Sequence, residues 1–184
     1  MNQSLAVAER RSVAPRSALT TLVAALEAAC EGPMDGLREA MLEALARAAA
    51  APGLLTAEQR QGSAEHYVRH LLHGDARGRF AVVAIVWRPG QRTPVHSHHT
   101  WCGYAVVEGS LHEDSYLWTP GCSAASCNGS AERDEGYACF GHAGVETIHR
   151  LGNRTRRPAI SVHVYGVDAP RVATHVNRML AAVD

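Results

Sequence analysis

Residues 79–87 (Arg-Phe-Ala-Val-Val-Ala-Ile-Val-Trp) constrain this chain most. After the arginine the run is apolar without alternation and rich in β-branched residues. Such a segment reads as a strand buried on both faces. Arg88-Pro89-Gly90 follows at once and turns the chain. A strand covered on both sides needs neighbouring strands and a second layer, so the fold around it must be a layered β structure.

The rest of the chain agrees. After Ser63, strands are expected over 66–73, 101–108, 111–118, 136–140, 147–151, 159–165 and 172–176, with Glu108-Gly109-Ser110 as a tight link. The stretch 119–133 is rich in Gly, Ser, Cys and Ala and reads as a loop with at most one weak strand. Many short strands separated by turns indicate an all-β barrel or a double-sheet jelly roll. The first third is different. Leu19, Leu22, Val23, Leu26 and Ala29 recur at helical spacing, and so do Leu37, Met41, Ala44, Leu45 and Ala48 within 34–50. Glu31-Gly32-Pro33 and Pro52-Gly53 stop these two helices. Thr56 and Gln59 have the spacing of a capping box, which predicts a third, short helix. Residues 1–16 read as a polar tail. The organisation expected is a tail and helices over 1–62 packed on a β-barrel over 63–184, as one structural unit.

Hydrophobic residues make up 46% of the chain and the formal net charge is zero, so this is an ordinary globular sequence without the basic stripe that binds nucleic acid. No apolar stretch reaches membrane-spanning length, and residues 1–13 lack the apolar core of a signal peptide. Five cysteines without framework spacing point to reduced thiols in the cytoplasm. A monomer is expected.

The chemistry concentrates at Pro94-Val95-His96-Ser97-His98-His99-Thr100-Trp101-Cys102. In an extended chain His96 and His98 point to one face, while His99 points to the other. Two imidazoles side by side chelate a metal but do not fill its coordination sphere. Spacing leaves His112, Glu113, His142, Glu146, His149 and His163 open as the further ligand. Cys122, Cys127 and Cys139 lack the partner histidine of a zinc finger.

Two patterns here resemble the paired motifs of cupins. Gly90, His96-x-His98 and Gly109 resemble the first; Gly136, Gly144 and His149-x-x-x-Asn153 resemble the second, with His142 in place of its usual proline. Within cupins the sequence resembles the cysteine dioxygenase family in four blocks: Tyr67-Val68-Arg69, His96-Ser97-His98, 148–153 (Ile-His-Arg-Leu-Gly-Asn) and 161–165 (Ser-Val-His-Val-Tyr). The resemblance implies a mainly β fold, a cupin jelly-roll-type β-barrel with an α-helical N-terminal extension. It implies an Fe(2+) ion held by His96, His98 and His149, and oxidation of L-cysteine to cysteine sulfinic acid with O2. It also implies that the substrate thiolate and amine bind iron.

The remaining residues fit that implication. Arg69 offers a bidentate fork to a substrate carboxylate, and Tyr67 stands two residues away on the same strand face. Ser161, His163 and Tyr165 alternate along one strand and face one side, with Val162 and Val164 on the other. In the family such residues form a relay in which the histidine holds the tyrosine hydroxyl. Where other cupins keep a carboxylate ligand, counting back from Gly109 gives Cys102, and counting forward from His98 gives Gly103. In some family members a cysteine there forms a thioether to the tyrosine, here Tyr165. The same His blocks also resemble 3-mercaptopropionate dioxygenases, which tend to carry Gln where this chain has Arg69. A non-catalytic cupin that binds a metal or small ligand, or a cupin isomerase with another metal, are the further readings.

Overall fold

A computed structural model describes residues 17–183; the expected polar tail, 1–16, lies outside them. The helices form where the periodicity places them. Helix α1 (Ala18–Glu31) starts at Ser17, whose hydroxyl accepts from the Thr20 amide at 3.1 Å. Helix α2 (Met34–Ala50) follows Pro33, and Pro52-Gly53 follows its end. The capping box forms in both directions. The Thr56 amide donates to Gln59 Oε1 at 3.0 Å, and the Gln59 amide donates to Thr56 Oγ1 at 3.3 Å. It opens only a single 3-10 turn, Glu58–Arg60.

Eleven strands build two facing sheets among the described residues. The first contains β1 (Val68–Gly74), β2 (Ala81–Trp87), β4 (Cys102–Glu108), β7 (Ala138–Gly141) and β9 (Ala159–Tyr165), in the order β1-β2-β9-β4-β7. The second contains β3 (His96–His98), β5 (Ser110–Leu117), β6 (Ala125–Asp134), β8 (Gly144–Gly152), β10 (Asn177–Met179) and β11 (Ala182–Val183), in the order β10-β3-β8-β5-β6-β11. All pairings are antiparallel except β11 with β6. This is a mainly β, jelly-roll-type barrel with a helical N-terminal extension.

Every residue of β2 and β9 is buried, and period two divides them between two cores. Val82, Ala84, Val86, Ile160, Val162 and Val164 pack outward against α1 and α2. Val83, Ile85, Trp87, Ala159 and Tyr165 pack inward between the sheets. Gly103 is what lets α2 lie so close. A Cβ there would stand 2.6 Å from Met41 Sδ and 3.1 Å from Leu45 Cδ1.

Two expectations need correction. The stretch 119–133 is not mainly a loop: β6 is a ten-residue strand. Its residues are small and mostly exposed, so its own pattern carries no strand signal. The partner supplies the order, with Ser110 opposite Asp134 and Leu117 opposite Ser126. Conversely, 172–176 is not a strand. A 3-10 turn, Ala169–Arg171, occupies the approach, and the Thr174 and His175 amides both donate back to the Arg171 carbonyl. The strand starts only at Asn177, where pairing with β3 begins.

Candidate metal centre

Strand β3 is short and fully buried. His96 and His98 lie on its inner face. His149, on β8, pairs directly with His96 in the β3/β8 register. The three rings converge, with centroids 4.7 to 5.2 Å apart. One ligand nitrogen from each lies within 4.8 Å of the others.

The hydrogen bonds select the nitrogens. Nδ1–H of His96 donates to the Pro94 carbonyl at 3.0 Å, and Nδ1–H of His149 donates to Glu113 Oε1 at 2.7 Å. Each ring thereby keeps its Nε2 lone pair for a metal. Nε2 of His149 is buried with no hydrogen-bond partner, a costly state for a polar atom unless a ligand meets it. Burial, then the neighbouring His149, drives His96 down to about 3 and His98 to about 2. At neutral pH those two rings are uncharged, as metal ligands must be. The residues therefore fit a metal ion.

The other candidates are engaged elsewhere. His112 hydrogen-bonds Glu132 and Asp114. His142, Glu146 and His99 are exposed. Glu113 stands behind His149 as its hydrogen-bond acceptor, and Arg133 donates to its other oxygen at 2.8 Å. Burial pushes the Glu113 carboxyl up, but the hydrogen bonds and charges of His149 and Arg133 outweigh it and hold it below its usual range. A carboxylate is thus present one bond back from the expected ligand position. Its inward face follows from the alternation Leu111, Glu113, Ser115, but its partner depends on the β5/β8 register.

The polar strand face is as expected, and its bonding differs from the family relay. Trp87 Nε1–H donates to Ser161 Oγ at 2.9 Å, and Ser161 Oγ hydrogen-bonds His163 Nε2 at 2.8 Å. His163 does not hold the Tyr165 hydroxyl; the two rings stack at 5.8 Å. Side chains two apart on one strand lie side by side, which favours ring contact over an in-plane hydrogen bond. Tyr165 lies 6.2 Å from His98, ring to ring. Burial, then the neighbouring Cys102, raises its hydroxyl above the usual range, so it stays protonated.

The register separates Cys102 from Gly103. Cys102 is directly opposite Tyr165 in the β4/β9 pairing, whereas Gly103 is opposite Val164 and faces the helices. Directly opposed residues have Cβ atoms about 4.5–5.5 Å apart. Burial raises the Cys102 thiol, which is therefore neutral.

Arg69 and Tyr67 meet the site from the edge of the first sheet. Arg69 lies across the Tyr67 ring at 5.5 Å, and Tyr67 packs on Trp87 at 4.9 Å. Arg69 lines a narrow cavity of about 10 Å³ together with all three histidines, Tyr165 and Asn177. A larger cavity of about 260 Å³ touches His98 and His149 on another side and is lined by Tyr104, Glu113, Tyr137 and Glu146. Sequence reasoning missed Asn177, since a three-residue edge strand (Asn-Arg-Met) is too short to carry a periodic signal.

Three convergent imidazoles inside a double-sheet barrel are placed to hold one metal ion. Residues 60–178 match the family described as cysteine dioxygenase type I, and the chain belongs to that family. It is accordingly a cupin-type thiol dioxygenase. Among solved structures it is similar to the TT1209 protein of Thermus thermophilus, with 20% identity over 60% of this chain and 91% of that one and a TM-score of 0.48. It is also similar to a conserved protein with a double-stranded β-helix domain from Klebsiella pneumoniae, with 20% identity, coverage of 61% and 86% and a TM-score of 0.45. A sugar phosphate isomerase of the cupin superfamily from Silicibacter pomeroyi shares 23% identity over 48% of this chain and 50% of that one, with a TM-score of 0.39.

Proposed function

We propose that the chain is an iron(II)-dependent dioxygenase that converts L-cysteine to cysteine sulfinic acid, both atoms of O2 going to sulfur. The observation that carries this reading is the cavity shared by Arg69 and the three histidines. A carboxylate held by the guanidinium fork puts a thiol attached to the same small molecule beside the imidazoles. The larger cavity suits such a substrate poorly, because Glu113 and Glu146 line it and neither Arg nor Lys does.

Iron(II), when bound by His96, His98 and His149, supplies open positions for a thiolate and O2 and the redox chemistry that joins them. With no carboxylate ligand from the protein, the site is left more positive, which favours an anionic thiolate. Tyr67 braces Arg69. The neutral Tyr165 hydroxyl donates a hydrogen bond at the reacting end, and Ser161 and His163, anchored by Trp87, fix the wall beside it. Glu113 holds His149 in the required tautomer and returns negative charge to the site. We further propose that Cys102 and Tyr165 become joined by a thioether, each losing one hydrogen to O2 as oxidant. Intact mass lower by two hydrogens is the expected result; an unchanged mass in turning-over enzyme rejects the bond.

All five cysteines are free, in keeping with action in the cytoplasm, and we treat the described helices and the barrel as one structural unit acting as a monomer. Among the described residues no helix is long and apolar enough to cross a membrane. Oxygen consumption by iron-reconstituted protein tests the assignment. Turnover of L-cysteine well above 3-mercaptopropionate is expected. A strong preference for 3-mercaptopropionate overturns the substrate, and no consumption with any small thiol overturns the activity in favour of a binding protein.

A further inference from the structure

We infer that Asn177 is a specificity-determining residue that accepts a hydrogen bond from the amino group of an amino-thiol substrate, setting this site against thiols that lack an amine. The inference rests on the proposed thiol oxidation and deepens it.

Asn177 begins β10, the edge strand of the second sheet, and stands opposite His98 in the β3/β10 pairing. It lines the same cavity as Arg69 and the three histidines. Its Oδ1 is buried and has no hydrogen-bond partner. An acceptor left bare in this way is costly, and a ligand that brings a donor recovers that cost. Two other acceptors of the cavity are already engaged. Thr93 Oγ1 receives the Leu151 amide at 3.1 Å, and His163 Nε2 bonds Ser161.

The placement also matches the ligand. Arg69 comes from β1, the edge of the first sheet, and Asn177 from the edge of the second. A zwitterionic amino acid carries an acceptor group and a donor group on one carbon, and the cavity offers a donor and an acceptor from its two walls. An amine keeps N–H groups to donate whether or not its nitrogen also binds a metal. A site built around a substrate N–H discriminates strongly against the analogue that lacks it, since the protein acceptor is then left unpaired in the complex.

The test is a cycle of two thiols and two proteins. Wild-type chain and Asn177→Leu, both iron-loaded, are compared on L-cysteine and 3-mercaptopropionate by kcat/KM, and by dissociation constants measured without O2. Asn177→Ala replaces the leucine variant if that one fails to fold. The expected result is a loss of about tenfold or more on cysteine, in both kcat/KM and affinity, with 3-mercaptopropionate changed by less than about threefold. Equal losses on the two thiols, or a ratio that does not move, overturn the role of Asn177 while leaving thiol oxidation standing. A wild-type chain that oxidises neither thiol overturns both.

Discussion

At the scale of single residues, the departure from a carboxylate-ligated cupin site lies in where the negative charge sits. Glu113 accepts from His149, one of the three proposed metal ligands, and Arg133 donates to its other oxygen. Removing that charge while keeping the shape, as in Glu113→Gln, is expected to weaken metal binding about 10- to 100-fold. Competition against a chromogenic chelator measures this, and Glu113→Asp should recover part of the loss. Arg69 behaves differently, because it touches no predicted ligand. Arg69→Met is expected to leave metal content unchanged and to lower kcat/KM for cysteine by about 100-fold, mostly through KM, as loss of a charge-assisted pair of hydrogen bonds implies. Steady-state kinetics beside iron analysis separates the two variants.

At the scale of elements, two contacts carry predictions. Strand β4 and helix α2 meet at Gly103, and Gly103→Val must displace Met41 or Leu45. A destabilisation of about 1–3 kcal/mol is expected from overpacking, read as a lower urea midpoint with unchanged slope. On the outer face of the second sheet, Asp114 of β5 accepts from Ser130, Arg150 and Arg154. Burial pushes its carboxyl up, but those hydrogen bonds and that of His112 outweigh it and hold the group at about 2, below its ordinary 3.8. The folded state therefore binds this proton less readily than the unfolded chain. The stabilisation, of the order of 2 kcal/mol, is fully present above pH 3.8 and is lost as pH falls toward 2. Asp114→Asn should flatten the stability curve in that window; an unaltered curve would remove the argument.

These elements also show what was legible in the chain. The helices were, because an apolar stripe at helical spacing is local information. Strands β2 and β9 were, because burial on both faces, or a polar face backed by valines, is written along one segment. Strand β6 was not, since its order comes from β5. The chelating pair on β3 was legible as His-x-His, whereas His149 was singled out only by its resemblance to a family motif. Its pairing with His96, like that of Cys102 with Tyr165, depends on a register between strands far apart in sequence. Glu113 and Asn177 lie furthest from local pattern, since each matters only through what another strand brings to it.

At the scale of the whole molecule, the helices cover the outer face of the first sheet and leave that of the second bare. Val82, Ala84, Val162 and Val164 are fully buried in a core cluster shared with α1 and α2. A chain lacking residues 17–55 is expected to aggregate on expression, since that uncovered apolar face exceeds what monomers tolerate; a soluble, metal-binding product in size-exclusion chromatography would contradict this. The order of the strands along the chain has another outcome. All three imidazoles precede residue 150, while Asn177 comes last, on a strand that needs β3 already in place. A domain generally folds as a unit. In the proposed function, the grip on the ion and the choice of substrate, although written far apart along the chain, are therefore acquired in one step, when β10 closes against β3.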